Sequence, residues 1–422
     1  MPWALRFRRP ALWLAAGAAV HLVYVGSLYT GWLNLLFNDS SHTQQGFDFA
    51  VYYMAGQALR HGADVYGLDA AFGFRYLPAF AYTFCLLFSA FTPRTGYLLY
   101  LICTELVLAV DLYLTWRLTQ EEPRRSRCLF MWLASSPLYL ELYMGQISFW
   151  AASLVFWGLC AAQRAPGWRE DLAWTCSALL KPNTLILAPV YLRLRRFRPL
   201  ALALLAVVLS SAPYFLLYPG SWGAFLEHNF GGAHVPGALT HAGNLGLWGA
   251  LVGMSAKLAG LPLAGLSELG ELPLWSRLVL LLVVAAVLAA SLVTTFLCPT
   301  DDRLALAALW LATYFLVYKD VWEHHYVFLL PALVLLYLRS PSPVLLAIFA
   351  LVALPTPFAL LDVSPGTYGN IDPERSWGLA TSVFYRSCKL LPSIGLWGWL
   401  LHGLWASQGD ADRAATRSPL SP

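Results

Sequence analysis

Apolar runs recur from one end of the chain to the other, separated by short stretches where Arg, Asp, Asn, Gly and Pro concentrate. Read as spans, the pattern predicts helices at about residues 11–33, 96–118, 128–143, 147–163, 171–181, 183–194, 199–218, 274–297, 304–318, 326–338, 343–361 and 384–404. Several are shorter than the ~20 residues of a full crossing. The expected fold is an all-α polytopic integral membrane bundle of about 12 transmembrane segments. Residues 1–406 read as a single transmembrane domain and the polar residues 407–422 as a disordered cytoplasmic tail. The first run, with Arg6, Arg8 and Arg9 before it, is too long for a cleaved leader and reads as a signal anchor.

Two apolar stretches resist a simple crossing. Residues 77–91 would invert everything after them if they spanned, so they read as an interfacial or re-entrant helix. Lys181-Pro182-Asn183 interrupts a long run and reads as the outer tip of a helical hairpin, since Pro breaks the hydrogen-bond ladder there.

Charge then sets a direction. Arg6, Arg8, Arg9, Arg117, Arg124, Arg125, Arg127, Arg164, Arg169, Arg193, Arg195, Arg196, Arg198, Arg303, Arg339, Arg413 and Arg417 all fall on one side of this span map. By the positive-inside rule that side is the cytoplasm, which puts both termini inside. More than half of the 23 acids, Glu141 among them, collect on the outer side. The chemistry is therefore expected on the extracytoplasmic face of a multi-pass protein of the cell (inner or plasma) membrane.

Composition narrows the class. With 59% hydrophobic and only 12% charged residues, against roughly 25% charged in soluble domains, a soluble globular protein is excluded. Seven Cys lie mostly inside apolar runs without a CxxC, so neither a disulfide framework nor a zinc site is indicated. The net charge of +4 and the absence of a free-standing basic run give no support to nucleic-acid binding.

The stretch from Gln45 to Tyr66 follows the first span and carries the most distinctive chemistry. As a helix over residues 47–60, it places Asp48, Tyr52 and Ala55 on one face at i, i+4 and i+7. Further on come Phe74-Arg-Tyr-Leu-Pro78, Gly145-Gln146, Leu180-Lys-Pro182 and His324-His-Tyr326. In this order the motifs resemble the GT-C superfamily of polyprenyl-phosphate-sugar-dependent glycosyltransferases, and most closely glycosyltransferase family 87, the membrane mannosyltransferase-like group. The likeness runs over residues 10–340.

The resemblance implies a GT-C bundle with amphipathic helices in its extracytoplasmic loops. It also implies transfer of a hexose, mannose by preference, from a polyprenyl-phosphate sugar to a glycan or glycolipid acceptor among membrane lipids. Asp48 matches the acid that serves such enzymes as general base in an inverting displacement. The His324–His325 pair matches a pair that contributes to the site, through the donor phosphate or the reacting sugar. Some relatives hold a divalent cation with two acidic motifs; no second acidic pair follows Asp48 here, so no metal and no cofactor are expected.

Each candidate also has a plainer reading. Asp48 also suits a helix cap. His324 and His325 also suit an interfacial aromatic belt, with Lys319 close by in sequence. Lys181 can neutralise a donor phosphate or snorkel to the interface, and Arg75 is the second phosphate candidate. Gln146 and Asn244 fit sugar hydroxyls or turns, and Tyr52, Tyr53 and Tyr76 fit pyranose faces or the belt. Asp39 is a weaker competitor for the base. Glu105 and Asp111, inside a span, are the evidence for a rival of another class, a secondary transporter or lipid flippase.

Overall fold

The computed structural model describes residues 10–33, 45–68, 73–164, 167–230, 243–261, 269–356, 361 and 377–416. Asp39 lies outside them. Among the described residues the regular structure is helical, save for one isolated bridge pairing Asn244 with Trp322.

The first half of the chain runs α1 (Pro10–Thr30), α2 (Phe47–Arg60), α3 (Pro78–Phe88), α4 (Pro93–Leu118), α5 (Glu122–Leu133), α6 (Ser136–Met144), α7 (Ser148–Arg164) and α8 (Trp168–Leu180). A 3₁₀ turn, Pro182–Leu187, leads into α9 (Ala188–Arg193), α10 (Phe197–Leu217), α11 (Ser221–Phe230), α12 (Leu247–Leu258), α13 (Leu274–Leu297) and α14 (Arg303–Val317). A second 3₁₀ turn, Glu323–Leu329, precedes α15 (Leu330–Arg339), α16 (Pro343–Ala353) and α17 (Leu379–Thr416).

Four of these helices, α1, α4, α10 and α13, are both long and apolar enough to cross a membrane, at 21, 26, 21 and 24 residues. At 1.5 Å per residue each matches or exceeds a hydrocarbon core of ~30 Å. The chain is thus an all-helical membrane protein, but its other elements differ from the expected spans. The run at 128–143 is two helices, α5 and α6; the run at 183–194 is a 3₁₀ turn plus α9; the run at 326–338 opens as 3₁₀.

Proline explains the breaks. Within or at the edge of apolar runs Pro123, Pro137, Pro182, Pro189 and Pro331 each sit in the first turn of a new element, where the missing N–H costs nothing and the fixed φ is already helical. A hydropathy profile cannot see that punctuation. Helix α3, at 11 residues, is about 16 Å long, half a crossing. At the other end α17 continues to Thr416, into the segment expected to be a disordered tail.

Helices α14 and α15 form the centre: every residue from Leu304 to Leu316 and from Leu330 to Leu338 is buried. A helix apolar all round is stable only when enclosed on all sides. Above this core, a separate aromatic cluster supports α2. Phe49, Tyr52, Phe80, Phe84, Phe88 and Tyr100 pack together, with Phe80 stacked on Phe84 at 4.9 Å and Phe49 edge-on to Phe88 at 6.1 Å. Burying an aromatic of this size contributes ~1.5–3 kcal/mol, so the first loop carries its own core. Close passage of α2 over α3 needs Gly56, where a Cβ would collide with the Cys85 carbonyl and the Ser89 side chain. Residues Ala81–Cys85 there form one π turn.

Candidate active site

Helix α2 begins at Phe47 with Gly46 as its N-cap, and no side chain caps it. Asp48 therefore sits inside the first turn and is free of the capping role. Its face is as expected: Tyr52 and Ala55 are buried behind it, at 2% and 0% exposure. The N-terminus of α2 is tied to α6 by Gly46 N–H donating to the Tyr143 carbonyl at 2.8 Å. At Gly145 the chain turns with φ +75°, and a Cβ there would lie 2.5 Å from Phe49 Cβ. Only glycine lets the α6–α7 turn press against α2 in this way.

That turn presents Gln146 to the loop. Its Oε1 accepts from Tyr52 Oη at 2.9 Å, Tyr76 Oη at 3.2 Å and the Ile147 N–H at 3.3 Å. With the oxygen thus committed, the amide must turn its Nε2 the other way, and it donates to the Asp48 carboxylate. The two hydroxyl oxygens also lie 2.5 Å apart, and with one proton each, a tyrosine that donates to the other does so in place of its bond to Gln146. The Tyr52 ring, expected to suit a pyranose face, is packed edge-on against Tyr76, Phe80 and Phe84 at 5.0–5.8 Å. It and Tyr76 orient Gln146.

The residue Asp48 is half-buried, but its Oδ2 is shut off from solvent with no hydrogen-bond partner. Burial pushes its carboxyl up to about 6, against the lowering effects of Gln146 and the Lys181 charge. A carboxylate of that kind is ionised at neutral pH and more basic than a solvated one.

Lys181 terminates α8 and is 6% exposed. It does not snorkel: its Nζ donates to Ser148 Oγ inside the protein. The Ser148 hydroxyl in turn serves the carboxylate of Glu141, which is 0% exposed and also accepts from the Phe149 N–H at 2.9 Å. Burial lowers the Lys181 ammonium to about 8, opposed by the charges of Glu141 and Asp48. Glu141, noted in the sequence only as one more outer acid, is thus the second carboxylate that was not expected beside Asp48. Its signal was a lone Glu in the apolar run Leu138–Met144, where an ionisable group is costly and functional by default.

The twin histidines arrive on the Glu323–Leu329 turn, which packs on α6 and α7. They are 3% and 5% exposed, so the interfacial-belt reading is corrected. Burial pushes both imidazoles well below their ordinary range, and the Lys181 charge adds to it. Both effects disfavour the charged imidazolium. His325 Nδ1 faces Tyr314 Oη at 3.2 Å, which accepts from Asn183 Nδ2 at 2.8 Å. The Lys181 and His324 motifs are thereby linked through a tyrosine that carried no recognisable signal. His324 differs: neither ring nitrogen has a hydrogen-bond partner.

Other candidates fall elsewhere. Arg75 faces Asp320 at 3.5 Å, so one carboxylate already competes for it. Lys319 is half-buried, and its backbone carbonyl accepts from the Asn244 amide at 2.6 Å. Asn244 also accepts from the Val321 N–H, so it is a turn residue, 1% exposed. Tyr53 donates to the Phe91 carbonyl at 3.0 Å on an exposed edge. Asp111 accepts from Ser153 Oγ at 2.5 Å and Trp157 Nε1 at 2.6 Å, and Glu105 pairs with His21 at 3.0 Å. Both are held by neighbours within the bundle. Among the described residues no three His, Cys, Asp or Glu side chains gather as a metal cluster.

A buried, partly unpartnered carboxylate gathered with a lysine, a second acid and two histidines inside a helical membrane bundle is an arrangement suited to proton transfer. The model of glycosyltransferase family 87 matches residues 74–318, more than half of the chain, and the protein belongs to that family. It is a glycosyltransferase. Asp48 lies before the matched stretch and His324 just after it. None of the curated proteins or solved structures compared with the chain matches it.

Proposed function

We propose that the protein transfers a hexose, mannose by preference, from a polyprenyl-phosphate sugar to a glycan or glycolipid acceptor on the extracytoplasmic face of the cell membrane, with both termini inside. Asp48 is the general base. It takes the proton of the acceptor hydroxyl as that oxygen bonds to the anomeric carbon; the bond from that carbon to the phosphate oxygen breaks, and its electron pair leaves with the polyprenyl phosphate. A β-linked donor gives an α-linked product.

The observation that carries this reading is the Asp48 carboxylate: aimed by Gln146, raised to about 6, and left with an unpartnered oxygen. A base with a pKa just below working pH combines ionisation with a strong pull on the proton. Asp111 has both carboxylate oxygens hydrogen-bonded, so transport through that span gains no support. The test is a membrane-fraction assay with labelled polyprenyl-phosphate mannose, comparing wild type with Asp48→Asn. Wild-type turnover by the variant would sink the assignment.

A further inference from the structure

Four buried polar atoms around Lys181 lack partners: Oδ2 of Asp48, Oε1 of Glu141, and Nδ1 and Nε2 of His324. Glu141 and His324 are 0% and 3% exposed. Lys181 is the common neighbour: its Nζ donates to Ser148, which serves Glu141, and its charge is felt by all three. The His324 turn packs on α6 and α7, the helices that carry Glu141 and Ser148. Buried polar atoms are paired in the great majority of cases, because an orphan forfeits its hydration with no return. So dense a group of orphans points to a ligand that completes them.

The chemistry of those atoms selects the ligand. Two are carboxylate oxygens, which only accept. A neutral imidazole offers one donor and one acceptor. The set therefore requires three donors and one acceptor from its partner, with no net demand for negative charge. A phosphodiester supplies acceptors only and carries the same sign as both acids. Lys181 cannot reverse that balance, because it is one cation between two carboxylates. Hydroxyl groups, each able to donate and accept, match the set.

We propose that Glu141 and His324 form the subsite for the hydroxyls of the transferred hexose, that the acceptor hydroxyl completes Asp48, and that the donor phosphate is held outside. The proposal rests on the glycosyltransfer reading above and sharpens it. Glu141 accepts from one hydroxyl, while the phosphate lies across the ring from Asp48, as an in-line displacement requires. It follows that Glu141 and His324 determine which sugar is taken, and the lipid carrier is recognised by other residues.

The test compares binding of three probes to the full-length protein in nanodiscs: polyprenyl-phosphate mannose, the same polyprenyl phosphate without sugar, and octyl mannoside. Glu141→Gln keeps the size of the side chain but turns an acceptor-only carboxylate into an amide. It is expected to weaken both sugar-bearing probes about tenfold or more, the scale of a lost charged hydrogen bond, and to leave the sugarless carrier within about twofold. Glu141→Asp should restore part of the loss. Should Glu141→Gln fail to fold, His324→Gln carries the same expectation. Equal weakening of all three probes, no change in any, or tighter binding of the sugarless carrier alone would each overturn the subsite. If wild type binds octyl mannoside in a Glu141-dependent way but not polyprenyl-phosphate mannose, the subsite stands and the donor assignment falls. If wild type binds neither sugar-bearing probe, the subsite falls.

Discussion

Two neighbours on one turn, Glu323 and His324, show how differently this protein treats buried polar groups. Both are almost fully enclosed, at 2% and 3% exposure. Glu323 is saturated: it accepts from the Thr356 N–H at 3.0 Å and from Thr356 Oγ1 at 2.9 Å, and lies 3.3 Å from Lys389 Nζ. Lys389 in turn donates to the carbonyls of Val352 and Leu354. His324 has nothing. One side of the turn holds the fold together, and the other carries the ring assigned above to the proposed sugar subsite.

The same contrast orders the predictions. Asp48→Asn, on the unpartnered side, should lower turnover by about 10²–10⁴-fold, the usual worth of a positioned general base. The melting temperature should hold or rise, because a carboxylate with an unpartnered buried oxygen is removed. A large loss of stability together with activity would place Asp48 among the residues that hold the fold.

Breaking the saturated side should do the opposite. Lys389→Met leaves Glu323 as an uncompensated buried charge, which costs ~3–5 kcal/mol, read as a lower melting temperature and less folded protein in the membrane. Turnover per folded molecule should stay near wild type. The double change Glu323→Gln with Lys389→Met should recover much of the stability, since a buried pair is often replaceable by neutral groups.

pH separates the two functions of one carboxyl. With Asp48 raised from 3.8 to about 6, the folded state binds more protons than the unfolded one between those values. Its contribution to stability is present at low pH and lost as pH rises through about 6. Activity has the reverse sign, rising through about 6 as the base ionises. A pH–rate profile in membranes checks that rise, and Asp48→Asn should erase the acid limb from the stability curve.

How far the sequence foretold this arrangement depends on which physical signal each part leaves. Asp48, Tyr52 and Ala55 were placed on one face because helical spacing is local, and the long helices were legible because lipid demands ~20 apolar residues in a row. The expected runs 147–163 and 171–181 appear as α7 and α8, but 128–143 and 183–194 were misread, since prolines cut the same apolar composition into short elements that hydropathy averages away. Glu141 and His324 were visible as residues but not as partners. What brings them to Asp48 is the left-handed turn at Gly145 and the packing of a 3₁₀ turn on α6 and α7. Both are tertiary facts with no periodic trace.

The smallest effect bears on how the unpartnered side is held in place. Tyr52→Phe keeps the ring and its edge-on contacts with Tyr76 at 5.1 Å and Phe80 at 5.0 Å, and removes only the hydroxyl. If the ring served as a stacking platform for sugar, nothing would change. If the hydroxyl fixes the Gln146 amide, one of its three acceptor contacts disappears, worth about 1 kcal/mol and about fivefold in turnover. Tyr76→Phe should cost a similar factor. The double variant should cost more than the product of the two, because the Ile147 N–H alone no longer prevents the amide from rotating its Nε2 away from Asp48. A simple product of the single effects would mean that the two hydroxyls act separately and that Gln146 is held by the turn.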